Sequence, residues 1–207
     1  MAIFPFSPKD ALKAAVEMHK ELHVYNEQRA FKNRLPIKVG IGLHTGPLIM
    51  GITGDEERLD ATTISDTVNT AARIESLTKH YGVNILLSGN SFEKIQGASK
   101  NKEVDFLLRY LGQVQVKGKN QAMKIYECFD GDSTEVCSSK KLSMEHFEAA
   151  LLDFHNQQFT AAASMLKLIT DKTPDDKTAQ LFLDKTEKLI LEGVNNNWDG
   201  VETMTKK

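Results

Sequence analysis

The chain reads as an α+β protein followed by a helical segment, and three observations give that class. Short apolar or alternating runs bounded by glycine and proline recur through roughly the first 130 positions. Single amphipathic helical patterns separate those runs. After the small, polar stretch GDSTEVCSSKK (131–141) the alternation stops and only helical periodicity continues.

In chain order, Met1 to Phe4 is a short apolar piece of strand character. Ser7, Pro8 and Asp10 supply a capping hydroxyl, a proline at the first helical position and an acid in the first turn. Leu12, Ala15, Val16, His19 and Leu22 follow at helical spacing, so a helix is expected to about Phe31. After Pro36, the alternation of Ile37, Val39, Ile41 and Leu43 predicts a half-buried strand. Gly40, Gly42 and Gly46 leave backbone uncovered there, for a ligand, a tight turn or a neighbouring helix.

Pro47 to Ile52 and Leu59 to Ile64 predict two strands joined by a turn, ahead of a helix from Asp66 to about His80 stopped by Gly82. Val83 to Leu87 reads as strand, Asn90 to Gln96 as a short helix, Val104 to Val116 as strand kinked near Gly112, and Met123 to Phe129 as the last strand. The expected architecture is a sheet covered by helices on one face. Residues 1–131 form the expected α+β domain, 132–142 a linker and 143–207 a helical tail. In the tail, Phe147, Leu151 and Phe154, then Phe159, Ala162, Leu166 and Ile169, give two amphipathic helices joined near Asn156 and Gln157. A third is expected from Asp176 to Glu192, with Trp198 anchoring the chain end.

A chain of 207 residues, 41% hydrophobic and 26% charged, has a soluble globular balance. Its formal charge of −2 gives no general attraction to nucleic acid, so any phosphate recognition is local. Cys128 and Cys137 lack metal-ligand spacing and point to a reduced protein. No apolar run approaches the roughly 18 residues that span a bilayer, and the start lacks a signal peptide's basic and apolar regions. A cytoplasmic location is expected for this chain, whatever anchors a larger parent.

The densest chemistry lies in DATTISDTVNTAARIES, Asp60 to Ser76. Asn69 and Arg73 are one helical turn apart and share a face. An amide suited to a ribose and a guanidinium suited to a phosphate would then aim at one ligand. Together with the upstream IKVGIGLHTGPLIMGITG and the downstream YLGQVQVKGKNQAMKIYEC, the segment resembles the catalytic domain of class III nucleotide cyclases, from Met1 to about Asp130.

That resemblance implies a ferredoxin-like cyclase sandwich and the conversion of ATP to cyclic AMP and pyrophosphate. It implies Arg73 as stabiliser of the transition state, Asn69 as the group orienting the ribose, Thr62 at the edge of an adenine, and Lys117 and Lys119 on the β- and γ-phosphates. Magnesium or manganese is the family's cofactor, and its two metal aspartates fall on strands expected upstream of Met1. Asp55, Asp60 and Asp66 are not at metal positions, so this chain is expected to supply no metal ligand. Ser65 departs from the usual glycine and Ala61 from a common aromatic.

The chain is therefore expected to be the C-terminal part of an adenylate cyclase domain, inactive alone, working as a homodimer or with a complementing subunit. The alternative is a non-catalytic dimerisation or regulatory module of the same ancestry. The tail resembles a tetratricopeptide-like unit, whose apolar face needs cover from the sheet, a second copy or a protein partner.

Overall fold

The computed structural model describes residues 1–54, 59–98, 106–116, 121–195 and 197–204, with backbone alone within 52–64. Helix α1 (Pro8–Phe31) starts at Ser7, whose Oγ accepts from the Asp10 amide at 3.4 Å. Leu12, Ala15, Val16 and His19 form its buried stripe. Strands β1 (Ile41–Leu43), β2 (Ile49–Gly54) and β3 (Leu59–Ile64) follow, then α2 (Asp66–Tyr81), closed by Gly82 in the left-handed conformation at φ +68°. Next come β4 (Ile85–Ser88), α3 (Gly89–Ala98), β5 (Leu108–Val116) and β6 (Met123–Cys128). Helices α4 (Thr134–His155), α5 (Phe159–Lys172) and α6 (Lys177–Glu192) precede a closing strand β7 (Val201–Met204).

The main sheet has the order β1-β4-β6-β5-β7. β1 runs parallel to β4, β6 antiparallel to β4 and β5, and β7 parallel to β5. β2 and β3 form a separate antiparallel ribbon. Helices cover both faces of the main sheet rather than one. Ile85, Leu87 and Cys128 face α1 and α3 through Leu12, Val16 and Ile95. Leu86, Leu111, Val114 and Ile125 face the other way, onto Ile74 and Tyr81 of α2 and onto Phe147, Leu166 and Phe182 of the last three helices. Alternation along β4, buried at all four positions, feeds both layers.

Other sequence expectations change as well. Met1 to Phe4 pairs with no strand among the described residues. Ile37 to Gly40 stays outside the sheet, because the Asn26 side chain clamps the Ile37 backbone with two 2.8 Å hydrogen bonds and β4 pairs only from Ile41 onward. The stretch read as a linker, 132–142, is helical from Thr134, capped by Ser133 through the Val136 amide. Its polarity has a structural cause, since Lys140 turns inward to a cluster of charges. β7, which follows Asp199 and Gly200, is a four-residue strand that only its distant partner β5 reveals.

That cluster joins sheet to helices. Arg109 on β5 is fully buried and donates from Nε to Glu127 on β6 at 2.8 Å, and from Nη1 and Nη2 to Asp176 at 2.6 and 3.0 Å. Lys140 of α4 meets Glu127 at 2.5 Å and Asp132 at 2.6 Å. Asp176 also accepts from the Ala179 amide at 3.1 Å, capping α6. The Arg109 guanidinium stacks 4.1 Å over the Phe147 ring. Burial opposes the charge on both cations, but Glu127 with Asp176, and Glu127 with Asp132, outweigh it and hold both pKa values above their ordinary ones. Burial likewise opposes charge on Asp176, and Arg109 outweighs it, so that carboxyl stays below its usual range.

A second cluster fixes β7. Glu202 accepts from Tyr81 at 2.7 Å and Lys185 at 2.6 Å, and contacts His80 at 2.8 Å. Burial alone would raise the Glu202 pKa, yet His80 and Lys185 together bring it down to about 2.

Replacing Arg109 with alanine leaves two buried carboxylates facing each other, so urea unfolding should show a loss of about 3–5 kcal/mol; a change below about 1 kcal/mol would refute the assignment. Because the Glu202 pKa is depressed on folding, its contribution is present above about pH 4.5 and disappears as pH falls through about 2. Melting curves between pH 5 and 2 should therefore fall less steeply for Glu202→Gln than for the native chain, and parallel curves would contradict the ion cluster.

Candidate active site

Helix α2 carries the expected Asn69 and Arg73, and its position follows from glycines on the preceding segment. A Cβ on Gly42 would stand 2.2 Å from the Glu75 amide nitrogen and 2.5 Å from the Ala71 carbonyl oxygen. One on Gly40 would meet Thr78 Oγ1 at 2.0 Å. Of the open alternatives, close helix–strand packing is thus the role these two glycines fill. β1 lies against the backbone of α2 at the turn that follows Asn69.

The start of α2 is tied by hydroxyls to one carbonyl. Ser65 Oγ donates to the Pro47 oxygen at 2.8 Å and accepts from the Thr67 amide at 3.0 Å. Thr67 Oγ1 donates to the same oxygen at 2.6 Å. A glycine at 65 could make neither contact, so the family departure strengthens the helix start. Beyond Leu43 the chain is fastened to β4 and α3, with His44 Nδ1 at 2.8 Å from Ser88 Oγ and Thr45 Oγ1 at 2.9 Å from Ser91 Oγ. Pro47, Ser65 and Thr67 therefore set where Asn69 stands. Sequence reasoning noted only Ser65; the hydroxyl pair beside the helix start was the available signal.

Asn69 is exposed and Arg73 half-buried, on one face of α2. Among the described residues nothing hydrogen-bonds the buried Arg73 Nη1, a donor left for an incoming acceptor. Thr62 lies on β3 with its backbone opposite Gly51, and its side chain lies outside the described residues. Lys117 and Lys119 also fall outside them, in the connection from β5 to β6. The structure brings Asn69 and Arg73 together, and nothing follows from it for the other three. Asp55 and the side chain of Asp60 are likewise outside the description. Among the described residues no three His, Cys, Asp or Glu side chains converge to hold a metal ion.

Comparison with known proteins gives the class. The model of the adenylate and guanylate cyclase catalytic domain matches residues 2–128, and the chain belongs to that family. A terminal-differentiation-specific adenylate cyclase of Dictyostelium discoideum is 32% identical over 190 residues, 89% of this chain and 9% of the relative. An adenylate cyclase of Anabaena cylindrica is 42% identical over 133 residues, 61% of this chain and 26% of the relative. The chain thus spans about a quarter or less of these relatives. Similarity to the Dictyostelium protein runs well past residue 128, into the last three helices. The crystal structure of the adenylyl cyclase CyaB from P. aeruginosa is 25% identical with a TM-score of 0.48, covering 58% of each chain. No described helix is long and apolar enough to cross a membrane.

Gly42→Ala should destabilise the chain by about 1–3 kcal/mol, because the new methyl meets helix backbone that cannot rotate away. Ser65→Ala should lose about 1 kcal/mol through the cap alone. Chemical denaturation of both checks this, and a neutral Gly42→Ala would show that β1 and α2 are not in close contact.

Proposed function

We propose that this chain is part of an adenylate cyclase catalytic unit, converting ATP to cyclic AMP and pyrophosphate. The observation that carries the reading is the pairing of Asn69 with Arg73, whose buried Nη1 lacks a partner among the described residues. In the reaction the ribose 3′-hydroxyl gives up its proton to water, its oxygen bonds to the α-phosphorus, the bond to the bridging oxygen breaks, and pyrophosphate leaves with that electron pair. Negative charge grows on the α-phosphate oxygens, and Arg73 would stabilise it from a fixed position. Asn69 would hold the ribose in line. Thr62 would meet the adenine edge, its hydroxyl serving as donor or acceptor. Lys117 and Lys119 would neutralise the β- and γ-phosphates.

Adenine rather than guanine is supported by Thr62 and by the adenylate cyclases among the relatives. Asp55, Asp60 and Asp66 do not fall at the family's metal positions, so the working unit would be a composite one, a dimer or a pairing with a complementing cyclase subunit that brings carboxylates. The purified chain with ATP and magnesium or manganese should then form little or no cyclic AMP. Mixed with a homologous cyclase domain lacking its own counterpart of Arg73, it should restore turnover. Arg73→Ala in this chain should cut that rescue by about 10²- to 10³-fold, and Asn69→Ala nearly as much. Magnesium-dependent turnover by the chain alone would overturn the composite site. Rescue undiminished by Arg73→Ala would favour a non-catalytic module of cyclase ancestry.

A further inference from the structure

Residues 31–39, which lead from the end of α1 toward β1, are exposed at every position. Four of them are large and apolar, with Phe31 90% exposed, Leu35 84% exposed, and Ile37 and Val39 following. Exposed apolar side chains scattered singly are ordinary, but four in one short connection form a patch. Arg29, Lys32, Arg34 and Lys38 are interleaved with them, and no Asp or Glu occurs from Gln28 to Gly54. Among the described residues no ion pair holds Lys32, Arg34 or Lys38.

The connection is tied down rather than loose. Asn33 takes the left-handed conformation at φ +50°, and the amides of Lys32 and Arg34 both donate to the Arg29 carbonyl oxygen at 3.0 Å. Arg29 Nε donates to the Leu35 carbonyl oxygen at 2.8 Å, and the Asn26 side chain exchanges two hydrogen bonds with the Ile37 backbone. These bonds hold apolar side chains out in solvent, so little backbone freedom remains to be lost when a partner covers them.

Chemistry selects that partner. Cations without acidic companions suit a negatively charged surface, and exposed Phe and Leu among them suit an apolar layer beneath the charge. A bilayer carrying anionic phospholipid supplies both, whereas a nucleic acid supplies the charge alone. A second copy meeting this patch face to face would bring like charges together. We propose that residues 29–39 dock on an anionic lipid bilayer, with Lys32, Arg34 and Lys38 at the headgroup phosphates and Phe31 and Leu35 entering the acyl boundary. The surface uses none of the nucleotide-facing residues and stands independently of the cyclase reading.

Co-sedimentation of the full chain with vesicles of phosphatidylcholine, with or without phosphatidylserine, tests this. Binding should be confined to the vesicles that contain phosphatidylserine. Lys32→Gln, Arg34→Gln and Lys38→Gln should each weaken it about fivefold, the scale on which one basic residue acts near an anionic surface. Phe31→Ser combined with Leu35→Ser should weaken it about tenfold or more, because that apolar area no longer leaves water. All five side chains are exposed, so these variants keep the fold. Absence of binding of the native chain to the anionic vesicles would overturn the proposal. Binding left intact by Phe31→Ser with Leu35→Ser would overturn it too, marking a general polyanion surface of the kind a nucleic acid fills. Self-association that the same pair abolishes, with no vesicle binding, would give the patch to a second copy and equally overturn it.

Discussion

The guanidinium of Arg109 is the group on which the rest of the structure depends. It stands on a central strand, faces away from α1 and α3, and meets carboxylates from β6 and from the start of α6. Through Glu127 it is coupled to Lys140, and through Lys140 to Asp132 in the turn that launches α4. Such a cluster adds less net stability than an apolar core of the same volume, because desolvation offsets most of the attraction. Its consequence is geometric. Five charged groups with directional bonds can be satisfied in one arrangement, whereas Phe147, Leu166 and Phe182 alone would tolerate several.

Once α4 to α6 are seated, they complete the core that α2 shares. Phe182 packs against Tyr81, Phe147 and Phe154, with ring centroids 5.8–6.3 Å apart. β7 then closes the β5 edge, and Glu202 holds the end of α2 through Tyr81 and His80. The opposite end of α2 is held by the Pro47 carbonyl and its middle by the flat surface of Gly40 and Gly42. The helix bearing Asn69 and Arg73 is therefore fixed at three places by three different kinds of contact. Precise placement of this sort is what a positioned cation needs if it is to act in a transition state.

Local rules made much of this legible. Ser7 and Pro8 marked the start of α1, Gly82 the end of α2, and the 3.6-residue apolar spacing marked α4 to α6, because caps and stripes are written within a few residues. The Asn69–Arg73 pair was legible for the same reason. Non-local effects were not. The polar run around Lys140 passed for a linker because nothing near it in sequence discloses Glu127 or Asp132. β7 is too short to show alternation and exists only by pairing with β5. Asn26 overrides the strand pattern of Ile37 and Val39 through a contact eleven positions away.

We propose that Arg73 faces a nucleotide phosphate. Its most direct test is side-chain NMR of ¹⁵N-arginine-labelled chain, combined with a complementing cyclase domain and titrated with a non-hydrolysable ATP analogue. The Arg73 Nε and Nη signals should shift and become protected from exchange as the analogue binds, while those of Arg109, sealed in its carboxylate cluster, should stay unchanged. Saturation of the complex with no movement of the Arg73 signals would contradict it.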